Sequence, residues 1–253
     1  MITNYHTHTR WCRHGEGEIE DFIEEAVRHH LEEIAMTEHV PHADNLDPKR
    51  MRFEEFPAYN KALDSAVSAY CGKIRVIKGM ECEYYPEEMD WYRTLREQYG
   101  YEIMILGQHK CGDRRQYDSF RKKGPEELKL YGETVCLGLE TGFFTFLAHP
   151  DVALNGYEPG WDKTAETVMR DIFQICQDRE IPVEINANGF RQHRAYPNEH
   201  ALLLSKEYRL TYLISADAHE PRYLIAPVLK LEQYVRSLGI EIMPRLPDSI
   251  LPR

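Results

Sequence analysis

The sequence predicts an α/β fold in which a parallel sheet, closed or nearly closed into a barrel, is covered by helices. Two observations predict it. Seven short apolar runs alternate with helical patterns along the chain. No flexible linker or change of composition divides these units, so residues 1–253 are predicted to form a single domain. A doubly wound open sheet is the alternative architecture.

The predicted strands are short and rich in Val, Ile, Leu and Phe, as buried parallel strands are. They span residues 2–6, 33–37, 73–82, 102–107, 144–148, 182–186 and 211–216. Apolar residues recur at three- and four-residue spacing in the segments between them, which predicts helices there. These helices span residues 18–31, 54–70, 87–98, a segment from Pro125, 163–178, 198–207 and 222–238. A β-like run, Ile240 to Met243, follows the last helix.

Composition limits the classes of partner. The formal net charge is −11, which argues against nucleic acid or an anionic membrane surface, because both are bound mainly by positive charge. The six cysteines are scattered singly, a pattern typical of the reducing cytoplasm. We expect no signal peptide at Met1–Asn4, and no apolar run is long enough for a membrane span.

Metal-binding side chains cluster at the ends of the predicted strands. They are His6, His8, His39, Glu81, His109, His149, Asp217 and His219, with His14 on the loop after the first strand. A single His-x-His pair is more often chance than a metal site. In an α/β barrel, however, the carboxyl ends of all strands converge on one face, where active sites lie. Imidazole and carboxylate without thiolate suit Zn²⁺, Mn²⁺ or Fe²⁺, and nine groups predict two or three such ions.

Several motifs surround these residues. They are His6-Thr7-His8-Thr9, Cys12-x-His14-Gly15, Thr37-Glu38-His39-x-Pro41-His42, Gly79-Met80-Glu81, Gly107-Gln108-His109, Ala148-His149-Pro150-Asp151, Glu184-Ile185-Asn186-x-x-Gly189-x-Arg191, Tyr196-Pro197 and Ser215-Ala216-Asp217-Ala218-His219. In this combination the sequence resembles the polymerase-and-histidinol-phosphatase (PHP) superfamily over essentially its whole length. It looks most like the monofunctional histidinol-phosphate phosphatases. One departure is Glu38, where relatives often carry Asp; we expect little consequence.

The resemblance implies a distorted seven-stranded (β/α)7 TIM-like barrel and three metal sites. His6, His8, Glu81 and Asp217 would hold the first ion. Glu81 would bridge to a second, completed by His109 and His149. His14, His39 and His219 would hold a third. The implied reaction is hydrolysis of L-histidinol phosphate, a step of histidine biosynthesis, by attack of a metal-bridging hydroxide, with Asp217 among the catalytic residues.

Three further residues are candidates for substrate contacts. Arg191 is the first choice for a guanidinium that binds phosphate and assists catalysis. His42 is a candidate contact to phosphate or the leaving alkoxide, although a surface histidine is an equal alternative, and His193 is a weaker candidate for the same role. The basic segment Lys110–Lys123 could attract an anionic substrate, but a solvated surface is the more usual explanation of such a run.

Two other functions stay open at this point. The chain could act on another small phosphomonoester, a nucleotide or a phosphodiester. It could also be a noncatalytic metal-binding module, although a degenerate site should show gaps in its ligand set.

Overall fold

A computed structural model describes residues 2–112 and 117–251. Seven parallel strands form one sheet in chain order, so that each strand pairs with the next along the sequence. The strands are Thr3–Asn4 (β1), Glu33–His39 (β2), Arg75–Cys82 (β3), Ile103–Leu106 (β4), Phe146–Leu147 (β7), Val183–Asn186 (β8) and Tyr212–Ser215 (β9), with Lys110–Cys111 (β5) and Tyr117–Asp118 (β6) as a separate antiparallel pair. The strand count and the barrel-like order confirm the predicted fold class.

Helices cover the outside of this sheet. They are Ile19–Arg28 (α1), Phe56–Ala69 (α2), Met89–Tyr99 (α3), Pro125–Glu140 (α4), Lys163–Asp178 (α5), Ala187–Arg191 (α6), Glu199–Ser205 (α7) and Ala226–Ser237 (α8). The predicted helix over 54–70 begins two residues later, after a 3₁₀ turn at Phe53–Glu55. The short helix α6 was not predicted; it begins where the Asn186 side chain accepts a hydrogen bond from the backbone N–H of Gly189. Among the described residues no helix has the length and apolar composition to cross a membrane.

The apolar core has two parts, one on each side of the sheet. The outer part lies between the strands and the helices and includes Ile19, Phe22, Ile23 and Ala26 of α1, all at most 1% exposed. The inner part fills the barrel with side chains from successive strands. Its members are Tyr5, Ala35, Ile77, Ile103, Ile105, Phe146, Ala148, Leu213, Leu246 and Leu251. The inner part stops short of the carboxyl ends of the strands, where polar side chains take over.

At the carboxyl ends the barrel is closed between its first and last strands. Thr7 and Ala218 form a parallel bridge, and the backbone N–H of His8 donates to the carbonyl of Ala218 at 2.9 Å. The side-chain oxygen of Asn4 accepts from the N–H of Ala216 at 2.7 Å. These contacts bring the loops after β1 and β9 side by side.

At the amino ends the segment Ile242–Leu251, which we name the tail plug, fills the gap between β1 and β9. Ile242 bridges to Tyr212, so the predicted run Ile240–Met243 pairs at one position only. Leu246 and Leu251 are 1% and 2% exposed inside the barrel. The N–H of Leu246 donates to the hydroxyl of Tyr5 at 3.2 Å.

The lysines at the two ends of the predicted basic segment have different partners. Lys110 Nζ pairs with Asp47 at 2.7 Å, and Lys123 Nζ is buried against the carbonyls of Ser119, Arg121 and Ala153. Arg114 and Arg115 lie outside the described residues. Lys123 therefore anchors its loop, and attraction of an anion by this segment stays a prediction.

Candidate metal centre

Glu81 is the centre of the polar cluster at the carboxyl ends. It lies near the end of β3, is 1% exposed, and is paired in register with His39 of β2. Five imidazoles face its carboxylate. Oε2 lies 3.5, 3.3 and 2.7 Å from ring nitrogens of His6, His8 and His39, and Oε1 lies 3.6 and 3.0 Å from those of His109 and His149. The predicted bridging carboxylate thus contacts members of all three predicted ligand sets.

Gly107 makes room for this carboxylate. A Cβ at position 107 would lie 1.9 Å from Glu81 Oε1, far closer than two such atoms approach. Only glycine therefore lets the chain after β4 pass beside Glu81.

Asp217 is the second carboxylate of the cluster. Its Oδ1 lies 3.7, 3.3 and 3.6 Å from ring nitrogens of His6, His8 and His219. Its Oδ2 accepts from the side-chain amides of Asn186 and Asn188 at 3.1 and 3.4 Å. The amides orient the carboxylate and leave one oxygen directed at the histidines.

The third predicted set also comes together. His14 Nε2 and His219 Nε2 are 2.9 Å apart, and the ring of His39 stacks on that of His14 with centroids 5.4 Å apart. The ligand atoms of His8, His39 and His219 all lie within 4.8 Å of one another. His39 thus belongs to two neighbourhoods, since its Nδ1 also faces Glu81. The structure brings all nine predicted metal ligands together, and their assignment to individual ions stays a prediction.

The cluster carries buried polar atoms that the described residues do not hydrogen-bond. They are His6 Nε2, both ring nitrogens of His8, His39 Nδ1, His109 Nδ1, His149 Nδ1 and Glu81 Oε2. Buried polar groups are almost always satisfied, because desolvation without a partner is costly. Imidazole nitrogens directed at shared carboxylates are the donor set of a divalent transition metal. The residues present therefore fit metal ions at this site.

The charges of this site follow from burial and from the shared carboxylates. Burial disfavours the charged form of His6, but Glu184, Asp217 and Glu81 outweigh it and raise its pKa to about 10. Burial lowers the pKa of His109 to about 4 and, with the charge of His8, that of His219 to about 3. His109 and His219 are therefore neutral near pH 7, as metal ligation requires.

Two further carboxylates at the strand ends, which are not among the predicted ligands, support the cluster. Glu184 Oε1 lies 2.8 Å from His6 Nδ1, and its Oε2 accepts from the backbone N–H of His149 at 3.1 Å. Glu38 Oε1 accepts from both the N–H and the hydroxyl of Thr9 at 2.6 Å, which ties the loop after β1 to β2. A carboxylate behind a ligating imidazole fixes its tautomer and ring orientation. The sequence could have indicated a role for Glu184, because it is the one acidic residue of the predicted strand 182–186.

A cavity of about 640 Å³ opens above the cluster. Predicted ligands at its base are His14, His39, His109, Asp217 and His219, and its walls include Arg50, Lys110, Phe120, Arg121, Arg191, Arg194 and Tyr196. Arg191 donates to Asn188 Oδ1 at 2.9 Å, and its guanidinium lies 3.9 Å from the ring centroid of Tyr223. Arg191 is thus held at the wall of the cavity, where the sequence placed a phosphate contact. Arg121 belongs to the predicted basic segment, whereas Arg50 and Arg194 were not predicted to lie there.

The other two substrate candidates lie elsewhere. His42 is 7% exposed and lines an adjoining cavity of about 250 Å³, with Nδ1 at 3.4 Å from Glu88. This smaller cavity shares Asp47, Arg50 and Lys110 with the larger one. His193 is exposed, has a positive φ of 53°, and is not among the residues that line either cavity.

The fold and the cluster define an α/β-barrel protein with a candidate metal centre. Residues 4–188 match the PHP domain family, and the chain belongs to that family.

Curated relatives agree with this assignment. The chain is 26% identical over 270 residues to a Schizosaccharomyces pombe protein described as "Probable histidinol-phosphatase", covering 95% of this chain and 88% of that protein. It is 21% identical over 235 residues to a Deinococcus radiodurans protein of the same description, covering 87% of each.

Among solved structures, the fold matches a histidinol phosphate phosphatase from Lactococcus lactis subsp. lactis, which is complexed with zinc, L-histidinol and phosphate. The TM-score is 0.76 at 18% identity, over 96% of this chain and 95% of that one. An archaeal ribonuclease P structure also contains a chain of this fold, with a TM-score of 0.53 at 14% identity, over 92% and 82% of the two chains. Both likenesses establish the fold.

Proposed function

We propose that this chain is a metal-dependent phosphatase that hydrolyses L-histidinol phosphate to L-histidinol and phosphate. The observation that carries the proposal is the carboxylate of Glu81, which five imidazoles surround at the carboxyl ends of the strands. Family membership and the descriptions of the curated relatives support the same reaction.

Two or three divalent ions would be held by the nine clustered side chains. The proposed groups are His6, His8, Glu81 and Asp217; Glu81, His109 and His149; and His14, His39 and His219. Zn²⁺, Mn²⁺ and Fe²⁺ all suit these ligands. Bound divalent ions neutralise phosphate oxygens and make hydroxide available near neutral pH.

The chain's own residues orient the substrate around this centre. Arg191 offers forked N–H donors to the phosphate, since its packing on Tyr223 fixes the guanidinium plane. Asp217, held by Asn186 and Asn188, keeps Oδ1 directed at the histidines. His42 lines the adjoining cavity, so we propose it as a contact for the organic half of the substrate. His193, exposed and outside both cavities, is given no role.

The proposed substrate is a small phosphorylated amino alcohol, and we propose a cytoplasmic location, with no nucleic acid or membrane as partner. All six cysteines are free, as a reducing compartment would keep them. The larger cavity, of about 640 Å³, has the size of pockets for small molecules, which measure about 300–1,000 Å³.

The test is a panel of phosphoesters assayed with the protein loaded with Mn²⁺, Zn²⁺ or Fe²⁺. The panel contains L-histidinol phosphate, other phosphomonoesters, nucleotides and a phosphodiester. We expect phosphate release to be fastest from L-histidinol phosphate and to be abolished by a chelator and by His6→Ala or Asp217→Ala. The exposed His29→Ala, 44% exposed at the end of α1, is the matched control and should keep full activity.

Turnover of other monoesters without turnover of L-histidinol phosphate would contradict the substrate. Absence of bound transition metal in the purified protein, with no activation by added Mn²⁺ or Zn²⁺, would contradict the phosphatase mechanism as a whole.

A further inference from the structure

A third buried carboxylate, Glu83, lies just beyond the metal centre. It is 2% exposed and follows Glu81 by two residues, one residue past the end of β3. Glu83 has no place in the proposed ligand sets. Its contacts connect it to one ligand in particular.

Glu83 holds His109 through the backbone. Its Oε1 accepts from the backbone N–H of His109 at 3.1 Å and from that of Lys110 at 2.9 Å. The same oxygen lies 3.9 Å from His109 Nδ1, while His109 Nε2 faces Glu81 on the opposite side of the ring. The imidazole therefore stands between the proposed bridging carboxylate and Glu83.

His109 needs such support because the sheet does not supply it. Strand β4 ends at Leu106, and the last backbone hydrogen bond from this strand to β3 is that of Gly107 to Cys82 at 2.8 Å. The N–H of His109 is satisfied by Glu83. Without the carboxylate, the backbone N–H of His109 would lose its hydrogen-bond partner.

Glu83 is itself fixed in a closed circuit of charges, which we name the charge ring. Its Oε2 accepts from Arg50 Nη2 at 2.8 Å; Arg50 Nε lies 3.4 Å from Asp47 Oδ2; and Lys110 Nζ lies 2.7 Å from the same oxygen. The backbone N–H of Lys110 returns to Glu83. The charge ring of Asp47, Arg50, Glu83 and Lys110 ties the loop after β2 to the loop after β4.

We propose that Glu83 is a positioning residue for His109, and that the charge ring presets this ligand for its metal ion. The proposal rests on the proposed function, because it takes His109 as a ligand. Residues that support a metal ligand from behind fix its orientation, and their loss weakens metal affinity by about 10–100-fold; here the support reaches the backbone N–H of His109. In the charge ring, Glu83 is itself held by Arg50 and Asp47 of the loop after β2.

The competing explanation is that Glu83 is a buried ion pair that contributes only to folding. Glu33 provides a matched control for it. Glu33 is 4% exposed, accepts a hydrogen bond from a tyrosine hydroxyl (Tyr5) and pairs with an arginine (Arg75) at 3.5 Å, but it lies at the amino end of the barrel. A purely structural role predicts the same outcome for Glu83→Gln and Glu33→Gln.

The experiment compares Glu83→Gln, Glu33→Gln and the unaltered chain by titrating metal-free protein with Mn²⁺ and Zn²⁺, followed by calorimetry and metal analysis. We expect Glu83→Gln to weaken one class of site by about 10–100-fold, and Glu33→Gln to leave every affinity unchanged. Equal affinities in all three proteins would overturn the proposal. No metal binding by the unaltered chain would overturn the proposed function as well, whereas normal metal binding without phosphatase activity would overturn only the proposed function.

Amide hydrogen exchange keeps the proposal testable if Glu83→Gln fails to fold. In the unaltered, metal-free chain, the amides of His109 and Lys110 should exchange slowly, because Glu83 holds both. Asp47→Asn, which opens the charge ring without removing Glu83, should speed their exchange and weaken the same class of metal site. Fast exchange of both amides in the unaltered chain would show that Glu83 does not hold this loop.

Discussion

Glu33 and Glu81 are buried glutamates on adjacent strands, one near each end of the barrel. Glu33 has a tyrosine hydroxyl and an arginine as partners, and the tail plug covers it through the contact of Leu246 with Tyr5. Glu81 has five imidazoles around it and one oxygen without a hydrogen bond among the described residues. At the amino end of the barrel, the partners of Glu33 come from the chain itself. At the carboxyl end, Glu81 has an oxygen available to a further partner.

The difference teaches how to separate structural from functional burial. A polar group buried for stability finds its partners within the chain, because an unpaired one costs about 1–3 kcal/mol. Several neighbouring histidines at the carboxyl ends have ring nitrogens without a hydrogen-bond partner in the described part of the chain. A cluster of buried polar atoms without hydrogen-bond partners, rather than burial itself, indicates a binding site.

The largest effect should come from Glu81→Gln, which removes the shared carboxylate. Metal content should fall by at least one ion, and phosphatase activity by about 10³-fold, since a bound metal contributes several kcal/mol to catalysis. The matched variant Glu33→Gln should keep its metal and lose only about 1–3 kcal/mol of unfolding free energy. Metal analysis and the phosphatase assay compare the two variants, and denaturant unfolding measures the stability of Glu33→Gln. Full metal content in Glu81→Gln would contradict the proposed centre.

The opposite end is tested by Leu246→Ala in the tail plug. Deleting a fully buried leucine should lower the unfolding free energy by about 2–5 kcal/mol. Leu203→Ala, at a position 45% exposed, should change it by about 0.5 kcal/mol or less. Denaturant unfolding gives both values. Metal content of folded Leu246→Ala should match the unaltered chain, and a loss of metal would show that the two ends are not independent.

Gly107→Ala tests how closely the backbone fits the centre. The added methyl would meet Glu81, and relief of that overlap should cost about 1–3 kcal/mol and weaken metal binding. At Gly124 the nearest atom to an added Cβ is a side-chain oxygen 3.4 Å away, and φ is −103°, so Gly124→Ala is the control. Thermal unfolding with and without metal compares the two. Equal unfolding temperatures of the two variants, with and without metal, would contradict a tight fit of the backbone beside Glu81.

The smallest expected effect is the release of protons when metal binds. In the metal-free chain the carboxylates raise the pKa of His6 to about 10 from an ordinary 6.5. Protonated His6 therefore stabilises the metal-free chain fully below pH 6.5, and this stability is lost as pH rises through about 10. Near pH 7 metal binding must displace the proton, so affinity should rise with pH. Calorimetry in buffers of different ionisation enthalpy counts the released protons; none released would contradict this assignment.

Much of the fold followed from local patterns. Apolar runs at regular spacing predicted seven strands, and the rule that carboxyl ends converge predicted that His6, Glu81 and Asp217 would meet. The tail plug did not follow, because Ile242 pairs with Tyr212 at one position and Leu246 enters the barrel from a segment without regular structure. Such contacts depend on the shape of a gap that exists only after the strands have assembled.

The supporting residues of the site were harder to predict than its ligands. His109 stands out in sequence because, like other predicted ligands, it closely follows a predicted strand. Glu83, which holds it, looks like any polar residue after a strand, and Arg50 lies in a long loop without periodic pattern. Their role depends on contacts between segments 33 and 26 residues apart, which spacing along the chain does not reveal.

The closure of the barrel between its first and last strands also orders events during synthesis. His6 and His8 leave the ribosome some two hundred residues before Asp217 and His219. A nascent chain that ends before β9 exposes two histidines without the carboxylate that completes their group. If the nine residues bind metal as proposed, the complete set of ligands forms only after β9 has joined the sheet. Metal binding would then follow closure of the barrel and stabilise it.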